Sequence, residues 1–468
     1  MTTAPSTPPS NREPAQSVGD ARAEAGDARA EVEPDDRGLW RHADFLRLWS
    51  AQIVSAFGSR ITRTALPIIA VTTLNQSEAV IGVLAAMQLI PGVILAMVAG
   101  GFVDRGRKRR ILVMADVVRA ALVASLTLAW AFDALSMIQV VLVGAGVSAA
   151  STLFQITDVA YLPALIGRRR LAEGNAKLET TEAVAEITGP ASAGVLIAAL
   201  GAPLAVAIDA ASYLWSALLL GRIRAVERPA ARRVTDEDGE VVAVRTGEDF
   251  RLGLRAVFGH PLVRPIVLTL MAWSVAGGFF VALYTVFCLR ELGVSEAMFG
   301  VIIAMGGIGS LAGAVLARSL ARLLGVGRTM IVTSALSVAC TLFIPLAASA
   351  SSHAMMIALL IAHQVLSDCF AVAFIILAVT LRQTVLPREL LGRANAAIHV
   401  CTTGVLPLAA LAAGGLAQVI GILASVWIGL LIGLIAPVFV WRLRKLKDMP
   451  AGDLGASDSG IARVDGPR

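Results

Sequence analysis

Asp104-Arg105-Gly106-Arg107-Lys108-Arg109-Arg110 stands between two apolar runs, roughly 79–101 and 111–132, and its place decides how the chain is read. Each flanking run is long enough to cross a bilayer as a helix, which takes ~20 apolar residues for ~30 Å of hydrocarbon. Cations gather again at every second break. Arg168, Arg169, Arg170 and Lys177 mark the fourth, Arg222 to Arg264 the sixth, and Arg318, Arg322 and Arg328 the eighth. Arg382, Arg388 and Arg393 mark the tenth, and Arg442, Arg444, Lys445 and Lys447 follow the last run. The intervening breaks, around Gln76, Asp133, Ala202, Glu291, Ser351 and Gly421, hold a single basic residue, Arg290. Short loops rich in Lys and Arg stay in the cytoplasm, so the alternation reads as twelve crossings with both termini cytoplasmic.

The runs lie near 46–73, 79–101, 111–132, 136–163, 177–200 and 203–223, then near 262–288, 296–320, 328–349, 353–383, 394–418 and 421–441. Their length predicts helices, because barrel strands are about ten residues of alternating polarity. Composition agrees: 56% of the residues are hydrophobic and 16% charged, where a soluble domain carries roughly a quarter charged. The net charge of +6 falls on loops facing anionic lipid, which argues against nucleic acid as a partner. Cys288, Cys340, Cys369 and Cys401 are scattered without CxxC spacing and read as core thiols. No cofactor or metal is expected. No GxxxxGK[ST] loop occurs, so ATP hydrolysis is not expected. Gly307-Ile308-Gly309-Ser310-Leu311-Ala312 fits a loose GxGxxA pattern, but inside a spanning run it reads as helix packing.

The expected organisation is a disordered tail over 1–43, a six-helix bundle over 44–223, a cytoplasmic linker over 224–260, a second bundle over 261–442 and a tail over 443–468. The N-terminal tail has a polar composition, contains no cleavable signal, and repeats Gly19–Ala25 (GDARAEA) as Gly26–Val32 (GDARAEV). In the linker, Phe250, Leu254, Val257 and Phe258 recur at helical spacing opposite Arg251 and Arg255, as in a helix on the membrane surface. The two bundles are copies. Ile81-Gly82-Val83 matches Phe299-Gly300-Val301 at an offset of 218, and Arg168, Leu171, Asn175-Ala176 and Gly194 match Arg388, Leu391, Asn395-Ala396 and Gly414 at 220. Both copies start on the same side, so this is a parallel repeat, an architecture of transporters with a site between the halves.

Gly100-Gly101-Phe102-Val103-Asp104-Arg105-Gly106-Arg107-Lys108-Arg109 resembles the Gly-x-x-x-Asp-Arg-x-Gly-Arg-Arg loop of the major facilitator superfamily, with the second Gly one place early. Ala65-Leu66-Pro67, Pro91-Gly92, Leu162-Pro163-Ala164-Leu165, Gly189-Pro190 with Gly194, Asp209 with Ser212 and Tyr213, and Leu386–Arg393 look like its drug:proton antiporter branch of macrolide-efflux and enterobactin-exporter proteins. The resemblance covers about residues 42 to 445. It implies a monomeric, multi-pass protein of the bacterial inner membrane that exchanges an amphipathic small molecule for protons. It also implies that Gly100, Asp104, Arg105, Gly106, Arg107 and Arg109 latch the cytoplasmic side. The second copy has Arg322 at the position of Asp104, which loses that latch. Gly189, Pro190 and Gly194 correspond to an antiporter stretch thought to seal the halves; an ordinary helix kink is the other reading.

Charges within the runs mark the candidate site, since an Arg at a helix centre costs ~2.5–3.5 kcal/mol to insert. Arg60 and Arg63 share one face of the first run, and Glu179, Glu182 and Glu186 stripe the fifth. An ion pair of Arg60 or Arg63 with Glu186 is expected. A carboxyl withdrawn from water can exchange a proton near neutral pH, so Asp368 and Asp158, followed by Glu186 and Glu182, are the proton-coupling candidates. Gln364, His363 and Ser367 lie near Asp368, and Gln155 and Tyr161 near Asp158. Arg60, Arg63, Gln155, Tyr161, Trp273, His363 and Gln364 are the substrate-cavity candidates; Asp209 reads as structural. Uptake by symport and a non-transporting scaffold or sensor are the competing functions.

Overall fold

The computed structural model describes residues 39–167, 170–224 and 246–445, apart from the side chains of residues 97–102, 104, 105, 246–249, 388, 389 and 445. The tail segments 1–38 and 446–468, and residues 225–245 of the linker, lie outside it. Twelve long helices follow one another, joined by short turns and one linker. The first half holds α1 (Ala43–Ile68), α2 (Glu78–Met87 and Ile90–Arg105), α3 (Lys108–Ala131), α4 (Met137–Ile166), α5 (Leu171–Leu200) and α6 (Ala202–Gly221). The second holds α7 (Val263–Val286), α8 (Glu296–Leu324), α9 (Val326–Cys340 and Phe343–Ala347), α10 (His353–Val385), α11 (Arg388–Thr403 and Val405–Ile420) and α12 (Ile422–Gly433 and Ala436–Val440). Eleven are long and apolar enough to cross a membrane. The remaining one, α1, spans 26 residues and carries Asp44, Arg47, Arg60 and Arg63.

Four helices are broken, and proline accounts for each break. A proline ring clashes with the carbonyl four residues back and removes one N–H. Pro91, Pro407 and Pro437 stand four residues after Met87, Thr403 and Gly433, where three first segments end; Pro345 stands five after Cys340, the end of the fourth.

The internal repeat is visible at single hydrogen bonds. α1 runs into a π-helical turn at Ile69–Thr73 and α7 into another at Phe287–Glu291, again 218 apart. Leu74 N donates to Ile69 O at 2.9 Å, and Leu292 N to Phe287 O at 3.0 Å. Asn75 and Gly293 follow with φ of +45° and +63°, a region open to Gly and tolerated by Asn. Ser77 and Ser295 then stand at the N-caps of α2 and α8.

Each half packs internally, α1 against α5 and α6 in the first and α8 against α10 in the second, while α5 meets α8 and α2 meets α11 across the halves. Those crossings are tight and exchange under the repeat. A Cβ on Gly300 would lie 2.6 Å from both Gly194 Cα and Pro190 O, and one on Gly82 would lie 2.8 Å from Ala410 O and 2.9 Å from Gly414 Cα. The glycines matched along the sequence, 82 with 300 and 194 with 414, thus meet crosswise near the Arg-poor face. There Arg290 donates to Val71 O and Asn75 Oδ1, both at 3.0 Å, and lies 3.5 Å from Glu78. The repeat-related contact is Thr72 Oγ1 to Glu296 at 3.2 Å.

The linker contains a helix, Thr246–Gly259. Its apolar residues Phe250, Leu254, Val257 and Phe258 join one cluster with Ala394, Ala397 and Ile398 of α11. Gly253 permits this, since a methyl there would overlap Arg393 O.

Candidate functional site

Arg60 is fixed by α5. Its Nη1 lies 2.6 Å from Glu186 and its Nη2 2.8 Å from Glu182, with the Arg side chain 9% exposed and the glutamates 58% and 52%. Gly189, the next turn of α5, leaves room for the Arg60 stem: a Cβ there would lie 2.6 Å from Arg60 Cγ. That contact gives the Gly-Pro stretch a local role. The glutamates lie 11 and 15 residues into α5, about 16 and 22 Å along its axis at ~1.5 Å per residue. Both carboxylates are thus half exposed while the guanidinium they hold is buried. Arg63 and Glu179 are also exposed.

Asp158 of α4 accepts from Gln52 Nε2 of α1 at 2.7 Å. Gln155, on the same helix, is exposed. Tyr161 corrects the expectation: instead of facing a cavity it is 1% exposed, in a core cluster with Phe45, Leu48, Leu162 and Leu165. Burying a ring of that area outweighs leaving its hydroxyl in a cleft.

In the second half a cavity of about 290 Å³ opens inside the bundle, lined from α7, α9, α10 and α12. Trp273, Phe279, Phe280 and Tyr284 supply its aromatic wall, and His363, Gln364 and Asp368 come from α10. Phe280 stacks on Tyr284 with centroids 4.3 Å apart, and Trp273 tilts against Phe374 at 4.8 Å. His363 Nδ1 lies 3.2 Å from Cys340 O; a carbonyl only accepts, so Nδ1 carries the proton. Ser367 and Ser337 each donate to the other's backbone oxygen at 3.1 Å, so the Ser367 proton is directed away from Asp368. Asp368 forms no hydrogen bond or ion pair among the described residues. Its Oδ2 lies against Gly306 of α8, at the edge where Gly307 meets Ile187 of α5. Gly309 and Gly313 lie on the α10 backbone at Val365 and Cys369, so this glycine run is a packing stripe.

One group went unnoticed in the sequence. Asp116 of α3, fully buried, pairs with Arg119 and accepts from Ser216 of α6 at 2.6 Å. The Arg119 guanidinium lies 4.4 Å from the ring centres of both Phe154 and Tyr213. Asp209, equally buried, accepts from Thr62 and from Ser212. Opposite charges three apart within the run 111–132 were the available signal for Asp116 and Arg119.

Of the loop motif, Gly100 lies within the second segment of α2, and the side chains of Asp104 and Arg105 lie outside the described residues. Gly106 follows the end of α2, Arg107 is exposed at the N-cap of α3, and Arg109 donates to Gly221 O at 2.9 Å and to Ile223 O. Arg109 therefore binds the carbonyl end of α6, where a cation is favoured, within its own half. All four cysteines are free.

Two repeated six-helix sets, enclosing intramembrane charge and an apolar cavity, define a multi-pass membrane transport protein and not an enzyme. The model described as the Major Facilitator Superfamily matches residues 48–398, and the chain belongs to that superfamily. No curated protein matches the sequence. Among solved structures it is similar to a bacterial homologue of the iron transporter ferroportin in its inward-facing state, with TM-score 0.68 and 17% identity over 87% of this chain and 100% of that one. The nucleoside transporter NupG gives TM-score 0.68 at 12% identity, over 86% and 98%. A bacterial homologue of the human lysosomal transporter Spinster, inward-facing and unoccupied, gives 0.61 at 15%, over 87% and 98%. At these identities the likeness is one of fold.

Proposed function

We propose that the protein exports amphipathic small molecules (a drug, a macrolide-like natural product or a siderophore) from a bacterial cell in exchange for protons. One observation carries the coupling: each half holds an intramembrane acid, Asp158 or Asp368, with no cation paired to it among the described residues. Such a carboxyl takes up and releases a proton without breaking an ion pair, whereas Glu182 and Glu186 would have to release Arg60. Ionisable groups at this depth mark ion and substrate pathways. Export rests on the resemblance to macrolide-efflux and enterobactin-exporter sequences and on Gly189-Pro190.

In this reading the bundles over 44–223 and 261–442 rock about the cleft. The Arg-rich face is cytoplasmic by the positive-inside rule, so the glycine crossings and Arg290 close the outer side and the glutamates open inward. The test is the resistance profile of an efflux-deficient host expressing wild type, Asp158→Asn or Asp368→Asn. Wild type raises tolerance to a subset of amphipathic compounds and each variant loses that gain. Inverted vesicles that accumulate the same compounds on acidification of their lumen support export. Full resistance in both variants would refute the coupling role, and accumulation only in right-side-out vesicles would refute export.

A further inference from the structure

We propose that the cavity between α7, α9, α10 and α12 binds an organic cation, an ammonium group on an apolar or aromatic body, with Asp368 as its counter-charge. The inference deepens the transporter reading, on which it rests for the cation's role as cargo, and it concerns what the cavity holds.

The charge argument comes first. Asp368 lines the cavity and has no ion pair or hydrogen bond among the described residues. From the packed elements, α8 offers Gly306 and Gly307, α9 offers Ser337 and Thr341 on the cavity wall, and α7 offers Tyr284, none of them charged. On its own helix His363 is tied to Cys340 O. The charged neighbour that acts on Asp368 is Glu186 of α5, a second acid. An anionic ligand is repelled here. A neutral apolar ligand would strip water from a carboxylate and return nothing for it. A cation supplies the missing charge.

The walls select the kind of cation. A divalent metal needs several oxygen or nitrogen ligands at once, and the described residues contain no group of three His, Cys, Asp or Glu placed to hold one. The lining is instead aromatic, from Trp273, Phe279, Phe280 and Tyr284, and ring faces attract ammonium groups that have shed their water. The volume, about 290 Å³, is at the small end of ligand pockets. It admits a compact amine or the amine-bearing end of a larger molecule.

The test uses the full-length protein in phosphatidylcholine nanodiscs and tritiated benzyltrimethylammonium in a scintillation proximity assay. Saturable binding is expected, displaced by tetramethylammonium and not by benzoate. Asp368→Asn weakens it about tenfold or more, on the scale of one lost charge contact; Asp368→Glu restores most of it. Ala371→Phe, which fills the cavity and leaves the carboxylate in place, abolishes it. Unfolding temperature of each purified variant separates lost binding from lost fold. No saturable binding, equal displacement by benzoate, or a folded Asp368→Asn protein that binds as wild type overturns the inference. Proton-linked efflux of neutral compounds without cation binding would sink this inference and leave the exporter reading. Binding through Asp368 with no proton-linked efflux would do the reverse.

Discussion

Gly300→Ala tests the far-face closure directly. The added Cβ would lie 2.6 Å from Gly194 Cα and from Pro190 O, and 3.0 Å from Gly194 N, all of them backbone atoms. Carbon atoms pack at ~3.5–4.0 Å, so α5 and α8 must part by about 1 Å at this level. No side-chain rotation relieves the overlap. Overpacking of this kind costs ~1–3 kcal/mol, and the cost falls on the state in which the crossing is closed. At ~1.4 kcal/mol per factor of ten, the open-to-closed ratio at this face rises roughly 5- to 150-fold. Spin labels at Ala134→Cys and Ser351→Cys, both exposed in far-face loops of opposite halves, would report it by pulsed dipolar spectroscopy as a longer-distance population. Gly82→Ala should act alike through Gly414. Gly415→Ala, whose Cβ meets nothing within 4 Å, should leave the distribution unchanged. Identical distributions for wild type and Gly300→Ala would refute the claim that these glycines hold the face shut.

Arg290→Gln removes the cation that bridges Val71, Asn75 and Glu78, and the same labels should show a smaller shift toward the open far face. Arg60→Glu should lower the unfolding temperature, with a loss of ~1–3 kcal/mol because Arg60 is buried but both glutamates are half exposed. Pairing it with Glu186→Arg should recover part of that loss, and no recovery counts against the pair. Asp116→Asn leaves the Arg119 guanidinium buried without its counter-charge, costing ~3–5 kcal/mol, whereas Asp116→Leu with Arg119→Met should cost less by the same unfolding assay. His260, just before α7, accepts from Leu262 N at 3.3 Å, and burial lowers its pKa. A depressed folded value gives stability above the ordinary pKa of ~6.5 that is lost as pH falls below it. His260→Gln should flatten that slope in exchange protection of the start of α7.

The extent of the fold was legible along the chain, and the individual contacts were not. Run 328–349 became α9 and run 353–383 became α10 with ends shifted by two residues at most. Arg60 or Arg63 was paired with Glu186 by comparable depth along two helices that the family resemblance makes neighbours, while the choice of Arg60 and of Glu182 as second partner needed the rotation of α1 and α5 about their axes. Gln52, the partner of Asp158, lies 106 residues away and carries no charge to attract notice. Around Asp368 the sequence pointed to His363, Gln364 and Trp273, which do line the cavity, while Phe279, Phe280 and Tyr284 carry no local mark that separates a cavity wall from lipid-facing packing.

Helix number, the parallel repeat and the side bearing the cations follow from sequence alone. The free energy of placing a residue in lipid is local and nearly additive, so twenty residues suffice to read each crossing. Tertiary structure decided which groups meet: Gly82 with Gly414 and Gly194 with Gly300, Arg119 between two rings, Asp368 beside an aromatic hollow. Between helices in lipid the partners are chosen by close packing and hydrogen bonds. Those terms depend on the rotation and crossing of segments more than a hundred residues apart, and no local stretch of sequence encodes them.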